Sequence, residues 1–399
     1  MNFKIKFINH ACFQIIRDNH SILVDPWFSG KVFNNSWALL EDTDIKSLDL
    51  SNLTHIFLSH EHPDHLNWST LRKIREATNQ KIEVFMPSRG NDNVESMMNK
   101  VGFEYKEFEP FNTYRTNKHD FSFSFFKKNH DSAIVFEIDE KIIFNKNDCE
   151  FSARELSFIK ERHLGGRDID VLFNQFSLAG YYGNKEDTMS LNAAKQKHIT
   201  DLVEAHTSLN PKLTVPFASF IRFCRKENSY LNDYIVGLPE IIEALGRDKM
   251  FVPYYLEEIP ENANEEKSLI NCKQWEEKFK KETQKTPDIS PVVSQQTLEE
   301  SFGKFQTQNN RNRHLTPSDD FKVKILDTNK FCTFNFNNSE ISFSEESYKA
   351  CAEVSSHDLD CLFRLPWGAD TMNITACFNV LDSQAWRKMM IYKDSCYVR

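Results

Sequence analysis

The chain has 399 residues, more than one ordinary hydrophobic core absorbs, so one large unit and one smaller unit are expected. Hydrophobic residues make up 40% and charged residues 27%, a globular balance that excludes disorder of the whole chain. The net charge of −9, without a concentrated Lys/Arg cluster, excludes broad nucleic-acid binding and leaves room only for a local phosphate pocket.

In chain order, Phe3 to Ile8, Cys12 to Arg17 and Ser21 to Asp25 read as a β-meander, the last two strands separated by the polar turn Asp18-Asn19-His20. Thr54 to Ser59 is a short apolar run of the kind a buried strand makes, and it ends directly at His60. Ser69 to Thr78 has helical periodicity, and Ile82 to Met86 returns as a strand, completing a βαβ unit. Phe121 to Lys127, Ala133 to Asp139 and Ile142 to Asn145 follow as strands that frame His130 and Asp148. The alternation in Phe121-Ser122-Phe123-Ser124-Phe125-Phe126 assigns much of the excess of 34 Phe to core packing. Asp170 to Gln175 and Lys212 to Pro216 are further strands around a long helix, Thr188 to Thr207.

Two mixed α/β halves result over residues 1–255, with sheets inside and helices outside. Residues 256–320 turn polar and suit a linker with peripheral helices. A small α+β domain over 321–399 is expected from strands at Phe321 to Ile325, Phe331 to Phe336 and Ile341 to Phe343, with Leu362 to Pro366 and Ile374 to Val380 as two more. Dimerisation and pocket covering are both open as its use. No apolar run reaches the roughly 18 residues of a membrane span, and the chain opens on a strand pattern, so a soluble cytoplasmic protein is expected. The nine Cys, without a C-x-x-C pair, suit reduced buried thiols.

Of thirteen His, four stand at positions 55, 60, 62 and 65. Imidazoles two apart on an extended loop can meet one metal ion while Asp64 and His65 face a second. Pro63 interrupts any helix and Asp64 stands where the helical zinc-protease signature H-E-x-x-H needs its second His, so Glu61 is not read as a general base. His55 precedes the core of the strand and reads as a packing residue.

His60-Glu61-His62-Pro63-Asp64-His65 after an apolar strand, with a lone His130 and then Asp148, resembles the metallo-β-lactamase superfamily over residues 1 to about 255. The resemblance implies an αββα sandwich. More narrowly, Asp25-Pro26-Trp27, Trp37-Ala38-Leu39-Leu40-Glu41, Leu58 to Leu66, Asn147-Asp148-Cys149 and Val215 to Phe220 resemble the catalytic domain of CMP-N-acetylneuraminate hydroxylase and its bacterial relatives. By position, the resemblance implies His60, His62 and His130 on a first metal, Asp64 and His65 on a second, and Asp148 bridging them around a water or hydroxide. The superfamily's last His would fall near Ala218, which has no ligand atom, or several residues later, where Arg225 stands. Glu227 or solvent could fill that corner, or the second metal could be held loosely. No Cys-x-His pairs of a Rieske module precede the domain, so electrons for any oxygenase chemistry would come from an external donor.

One or two divalent ions are implied, Zn or Fe, with Mn also suited. A divalent metal lowers the pKa of bound water from about 15.7 to about 7, which makes a nucleophile at neutral pH. Asp64 is the catalytic candidate, orienting the hydroxide and taking its proton. His10, Tyr181, Tyr182 and Arg225 are candidate substrate-binding residues, Arg225 through a bidentate grip on phosphate or carboxylate. Bland readings stand beside these: His10 as a satisfied structural histidine, Asp148 as a helix N-cap, Tyr181 and Tyr182 as a packed loop, and Asp25 as a turn residue or a carboxylate orienting a metal-bound His. The favoured function is a metal-dependent hydrolase acting on a phosphoester, amide or lactone type of small molecule. A di-iron oxygenase acting on a nucleotide sugar or related molecule, and a non-catalytic metal-stabilised binding protein, are the alternatives.

Overall fold

The computed structural model describes residues 3–18, 20–88, 92–116, 121–309, 320–336 and 340–395. Asn19 of the first expected turn, the end of the polar stretch at 310–319 and the last four residues lie outside them. The first sheet comprises β1 (Lys4–Asn9), β2 (Cys12–Arg17) and β3 (His20–Val24) of the meander. After two short strands, β4 (Lys31–Val32) and β5 (Trp37–Leu39), the chain returns to that sheet as β6 (Leu53–Phe57). Helix α1 (Trp68–Ala77), β7 (Glu83–Pro87), α2 (Asp92–Val101) and β8 (Glu104–Phe108) then complete it, in the order β1-β2-β3-β6-β7-β8.

The second sheet is built from β9 (Thr113–Arg115), β10 (Phe121–Lys128), β11 (Asp131–Ile138) and β12 (Lys141–Asn147). Past α3 (Ala153–Phe158) come β13 (Val171–Gln175), α4 (Thr188–Leu209) and β14 (Leu213–Phe217). Their spatial order is β14-β13-β12-β11-β10-β9. Both sheets join an antiparallel part to a parallel part, with β3, β6, β7 and β8 parallel in one and β12, β13 and β14 in the other.

Phenylalanine fills the space between the sheets. Phe57 meets Phe85, Phe123 and Phe136 edge-on at 4.8–5.2 Å, and Phe13 stacks on Phe173 at 4.3 Å. Rings at these separations add edge-to-face attraction to the burial of large apolar area, so alternate positions in strands such as β10 can each carry one. Leu71 and Ile74 of α1 cover the outer face of the first sheet, and Leu156 of α3 with Ala205 and Leu209 of α4 cover the second. The result is the αββα sandwich.

Strand β15 (Ile221–Phe223) pairs with β5 in a small sheet beside the sandwich. The polar stretch that follows α5 (Leu238–Leu245) holds two helices. Helix α6 (Glu265–Thr283) buries Trp275 against Phe220 of the first core, whereas α7 (Gln295–Asn309) places Leu298, Phe302 and Phe305 in a second core. That second core backs a sheet of β16 (Phe321–Ile325), β17 (Lys330–Asn335), β18 (Glu340–Ser344) and β19 (Ala352–Val354). After α8 (Ser356–Arg364) and α9 (Gly368–Thr375), β20 (Phe378–Val380) joins its edge, and α10 (Ser383–Ser395) follows.

The expected strand at Leu362 to Pro366 is a correction, because Leu362 to Arg364 close α8. Leu359, Leu362 and Phe363 repeat at helical spacing, and Ser355 caps the Asp358 N–H, so a helix buries them on one face. The expected strand at Ile374 to Val380 shortens to β20, since α9 runs to Thr375 and Ala376 caps it in a left-handed conformation. The eight described cysteines are all buried free thiols. No helix among the described residues is long and apolar enough to cross a membrane.

Candidate metal centre

Seven ligand-type side chains converge where strand ends of both sheets meet. His10 occupies the turn after β1, His60, His62, Asp64 and His65 follow β6, Asp131 opens β11, and Asp148 follows β12. Irregular backbone marks this edge: the pairing of β1 slips between Phe7 and Asn9, and that of β12 between Asn145 and Asn147. His10, Asp25, Asn147 and Ala218, each just past or at the end of a strand, have φ of 30°, 43°, 54° and 50°. Left-handed non-glycine residues are uncommon, and a cluster of them shows that the surrounding structure over-determines this rim.

The cluster has an open and a buried half. In the open half, His60 Nε2 and His62 Nδ1 are 2.9 Å apart, and Asp131 Oδ1 stands 3.6 Å and 3.9 Å from them. The side chains of His62 and Asp131 are 34% and 24% exposed, so this half faces solvent. In the buried half, Asp64 Oδ2 lies 3.2 Å from His10 Nε2 and 3.4 Å from His65 Nε2, and all three residues are buried. Asp148 Oδ2 stands between the halves, 3.2 Å from His65 Nε2 and 3.8 Å from His60 Nε2.

Asp25 organises both. Its Oδ1 accepts the Ser59 N–H at 2.8 Å, and its Oδ2 accepts from the Ser59 hydroxyl at 2.8 Å, Asn147 Nδ2 at 2.7 Å and His65 Nδ1 at 3.0 Å. With its proton given to Asp25, the Ser59 oxygen is left to accept from His60 Nδ1 at 2.9 Å. The network thereby assigns the tautomer in which Nε2 of His60 offers a lone pair to the site, the usual task of a carboxylate or hydroxyl behind a metal-binding imidazole.

Burial opposes charge on Asp64, yet His65 and His10 hold its carboxyl well below the usual range. Burial likewise opposes a proton on His65, and Asp64, Asp148 and Asp25 overcome it and raise its proton affinity well above that of a free imidazole. This is the signature of a site that draws in positive charge. Asp64 Oδ1, Asp148 Oδ1 and His10 Nδ1 are buried without a hydrogen-bond partner among the described residues. Unpaired buried acceptors cost roughly 1–3 kcal/mol each, and a divalent cation would answer those of the carboxylates. The residues present fit a metal: imidazole and carboxylate suit first-row divalent ions, and His60, His62 and Asp131, His60, His65 and Asp148, and His10, Asp64 and His65 form three groups able to hold one.

The structure brings together His60, His62, Asp64, His65 and Asp148. His130 is exposed on the turn before β11, outside these groups, and its neighbour Asp131 turns inward instead. His10, expected as pocket lining, lies within the cluster. Tyr181 instead bonds Asn184 and packs on Phe378, and Tyr182 pairs with His198 at 3.0 Å. Arg225 makes its bidentate grip on Asp358 of α8, at 2.6 and 2.7 Å, and draws Glu227 to 3.3 Å. His55 is buried among Phe85 and Phe121 and bonds Thr54. Ser59, Asn147 and Asp131 escaped sequence reading, although the first two flank ligands directly.

Sandwich and cluster together define a metal-binding protein of the metallo-β-lactamase fold. Residues 20–217 match the model of the β-lactamase superfamily domain, so the chain carries a domain of that superfamily. It is distantly related to the cytidine monophosphate-N-acetylneuraminic acid hydroxylase of Danio rerio, 21% identical over 249 residues, which are 57% of this chain and 40% of that protein. The chain thus matches well under half the length of that relative. Among solved structures, a possible metal-dependent hydrolase from Veillonella parvula aligns at TM-score 0.45 and 12% identity, covering 65% of this chain and 99% of that one. CmlA, a diiron beta-hydroxylase from Streptomyces venezuelae, aligns at TM-score 0.41 and 15% identity, covering 54% of this chain and 45% of that one.

Proposed function

We propose that the chain is a non-haem iron oxygenase hydroxylating a small molecule. One observation carries this: the 21% identity over 249 residues to a hydroxylase, with which the grouping of His60 and His62 with the carboxylate of Asp131 is compatible. Two histidines and one carboxylate with open positions are a grouping that non-haem Fe(II) oxygenases use, and zinc hydrolases use it as well. The relationship to the hydroxylase moves the preference away from hydrolysis, the reading favoured on sequence. The same similarity suggests a nucleotide sugar as the substrate class.

Bound iron would supply the activation of O2, one oxygen atom entering a C–H bond and the other leaving as water with two electrons from an external donor and two protons from solvent. The chain's own residues do the rest. Asp25 and Ser59 hold His60 and His65 in register so that their Nε2 atoms converge. Phe33, edge-on to His62 at 5.8 Å and to Trp37 at 4.8 Å, forms an apolar wall beside the open half. Such a wall excludes water from the face where substrate approaches.

Anaerobic purification with quantification of iron, zinc and manganese, followed by spectra with reductant and oxygen, tests the reading. Two irons per chain that oxidise on exposure to oxygen are expected. Bound zinc with esterase or phosphodiesterase turnover overturns it in favour of hydrolysis. His62→Ala and Asp64→Ala should each abolish activity, and a fully active variant refutes the site.

A further inference from the structure

The corner where a ligand is missing after β14 is occupied from the other end of the chain. Ala218 is buried and offers only a methyl group, yet its backbone N–H donates to the carbonyl of His10 at 2.9 Å, so the two residues stand side by side. Both have left-handed backbones, His10 in the turn that β1 makes after its bulge. Asn9 locks that turn by donating to the Trp27 carbonyl at 3.0 Å and to the Thr43 hydroxyl at 2.8 Å. Trp27 meets the His10 ring edge-on at 5.6 Å and fixes its plane.

In this posture the His10 ring is aimed into the cluster, with Nε2 at 3.2 Å from Asp64 Oδ2, itself 3.4 Å from His65 Nε2. Ligands about 2.0–2.2 Å from one ion stand roughly 3–3.5 Å from each other, so these separations are those of a shared cation as well as of a hydrogen bond. We propose that His10 is a direct ligand of the buried metal, completing with Asp64, His65 and Asp148 the site that Ala218 leaves short. The proposal rests on reading the cluster as a two-metal site and is independent of which metal is native. The ligand set then divides into an open position held by His60, His62 and Asp131 and a closed one held by His10, Asp64 and His65, with Asp148 between.

The competing role is positioning: His10 could serve Asp64 as a hydrogen-bond donor only. Zinc chloride titrated into the chelator-stripped full chain, labelled with 15N at histidine, separates the two. The expected result is two zinc ions per chain, with the His10 Nε2 resonance moving to the range of metal-bound nitrogens as the second ion enters. His10→Gln, which keeps a donor toward Asp64, assigns that resonance. It should still bind one zinc and weaken the second by more than about 100-fold, beyond the 10–100-fold that loss of an orienting partner costs. Two zinc ions bound with the His10 ring nitrogens unmoved overturn the proposal and leave the two-metal reading intact. A single zinc in the wild type overturns that reading, and the proposal with it.

Discussion

Two buried charged clusters in this molecule differ in how their carboxylates are matched. At the boundary between the sandwich and the C-terminal unit, both oxygens of Asp358 are matched. Oδ1 accepts from Arg225 Nη1 and Asn34, and Oδ2 from Arg225 Nη2 and the Ser355 hydroxyl. At the strand-end cluster, three carboxylates crowd one proton-hungry imidazole, and an oxygen of Asp64 and one of Asp148 have no hydrogen-bond partner among the described residues. Burying a carboxylate is tolerable when both its oxygens are paired, and one left with an unpaired oxygen carries a cost that a bound cation would remove. The first cluster is a fastening and the second a receptacle.

The fastening should give the largest effect. Asp358→Ala leaves buried Arg225 with only Glu227, at 3.3 Å, to offset its charge and is expected to cost about 3–5 kcal/mol, with the same loss in urea unfolding whether or not metal is present. Removing both charges together, as Arg225→Met with Asp358→Leu, should recover most of that loss. A single variant that costs under about 1 kcal/mol would place the pair among surface contacts.

The receptacle should respond to metal. Loading the open position of the stripped chain at 100 times its dissociation constant stabilises it by about 2.7 kcal/mol, read as a rise in thermal midpoint, and His62→Ala should remove that share of the gain. If wild type and His62→Ala rise together, the distinction between the two clusters collapses.

The same contrast explains how much the sequence disclosed. The loop from His60 to His65 was legible because its ligands are contiguous, and the sandwich because strand alternation and the βαβ pattern are local. The nearness of Asp131 to His60 was not, since spacing alone does not tell which of two neighbours the turn before β11 points inward. His10 meets Asp64 across 54 residues and Arg225 meets Asp358 across 133, pairings that no spacing rule anticipates. Leu362 misled because a short apolar run reads alike as strand or buried helix until Leu359 and Ser355 are counted with it.

A third buried polar pair sharpens the point, because it is complete only while neutral. His198 of α4 shares a hydrogen bond with the Tyr182 hydroxyl, and burial, with Lys197 nearby, lowers its pKa from 6.5 to about 4. The unfolded chain takes up the proton near pH 6.5 and the folded chain only near 4. Its contribution is therefore full above pH 6.5 and is lost as pH falls toward 4, a loss on the order of 2 kcal/mol. Comparing urea midpoints of wild type and His198→Gln at pH 7.5 and 4.5 isolates it, and parallel losses in both proteins assign the acid sensitivity elsewhere.

The smallest effect decides what Asp148 is for. A carboxylate shortly before a helix can serve as its cap, but α3 is capped by Ser152. Its backbone N–H donates to Glu155 Oε2 at 2.9 Å, while its hydroxyl accepts the Glu155 N–H at 3.4 Å. This reciprocal box leaves Asp148 to the cluster. Ser152→Ala should cost about 1 kcal/mol with or without metal. Asp148→Asn should leave the metal-free chain nearly unchanged and remove most of the stabilisation that metal confers. Equal costs for the two variants in the metal-free chain would make Asp148 a structural residue, and would move it from the receptacle to the fastenings.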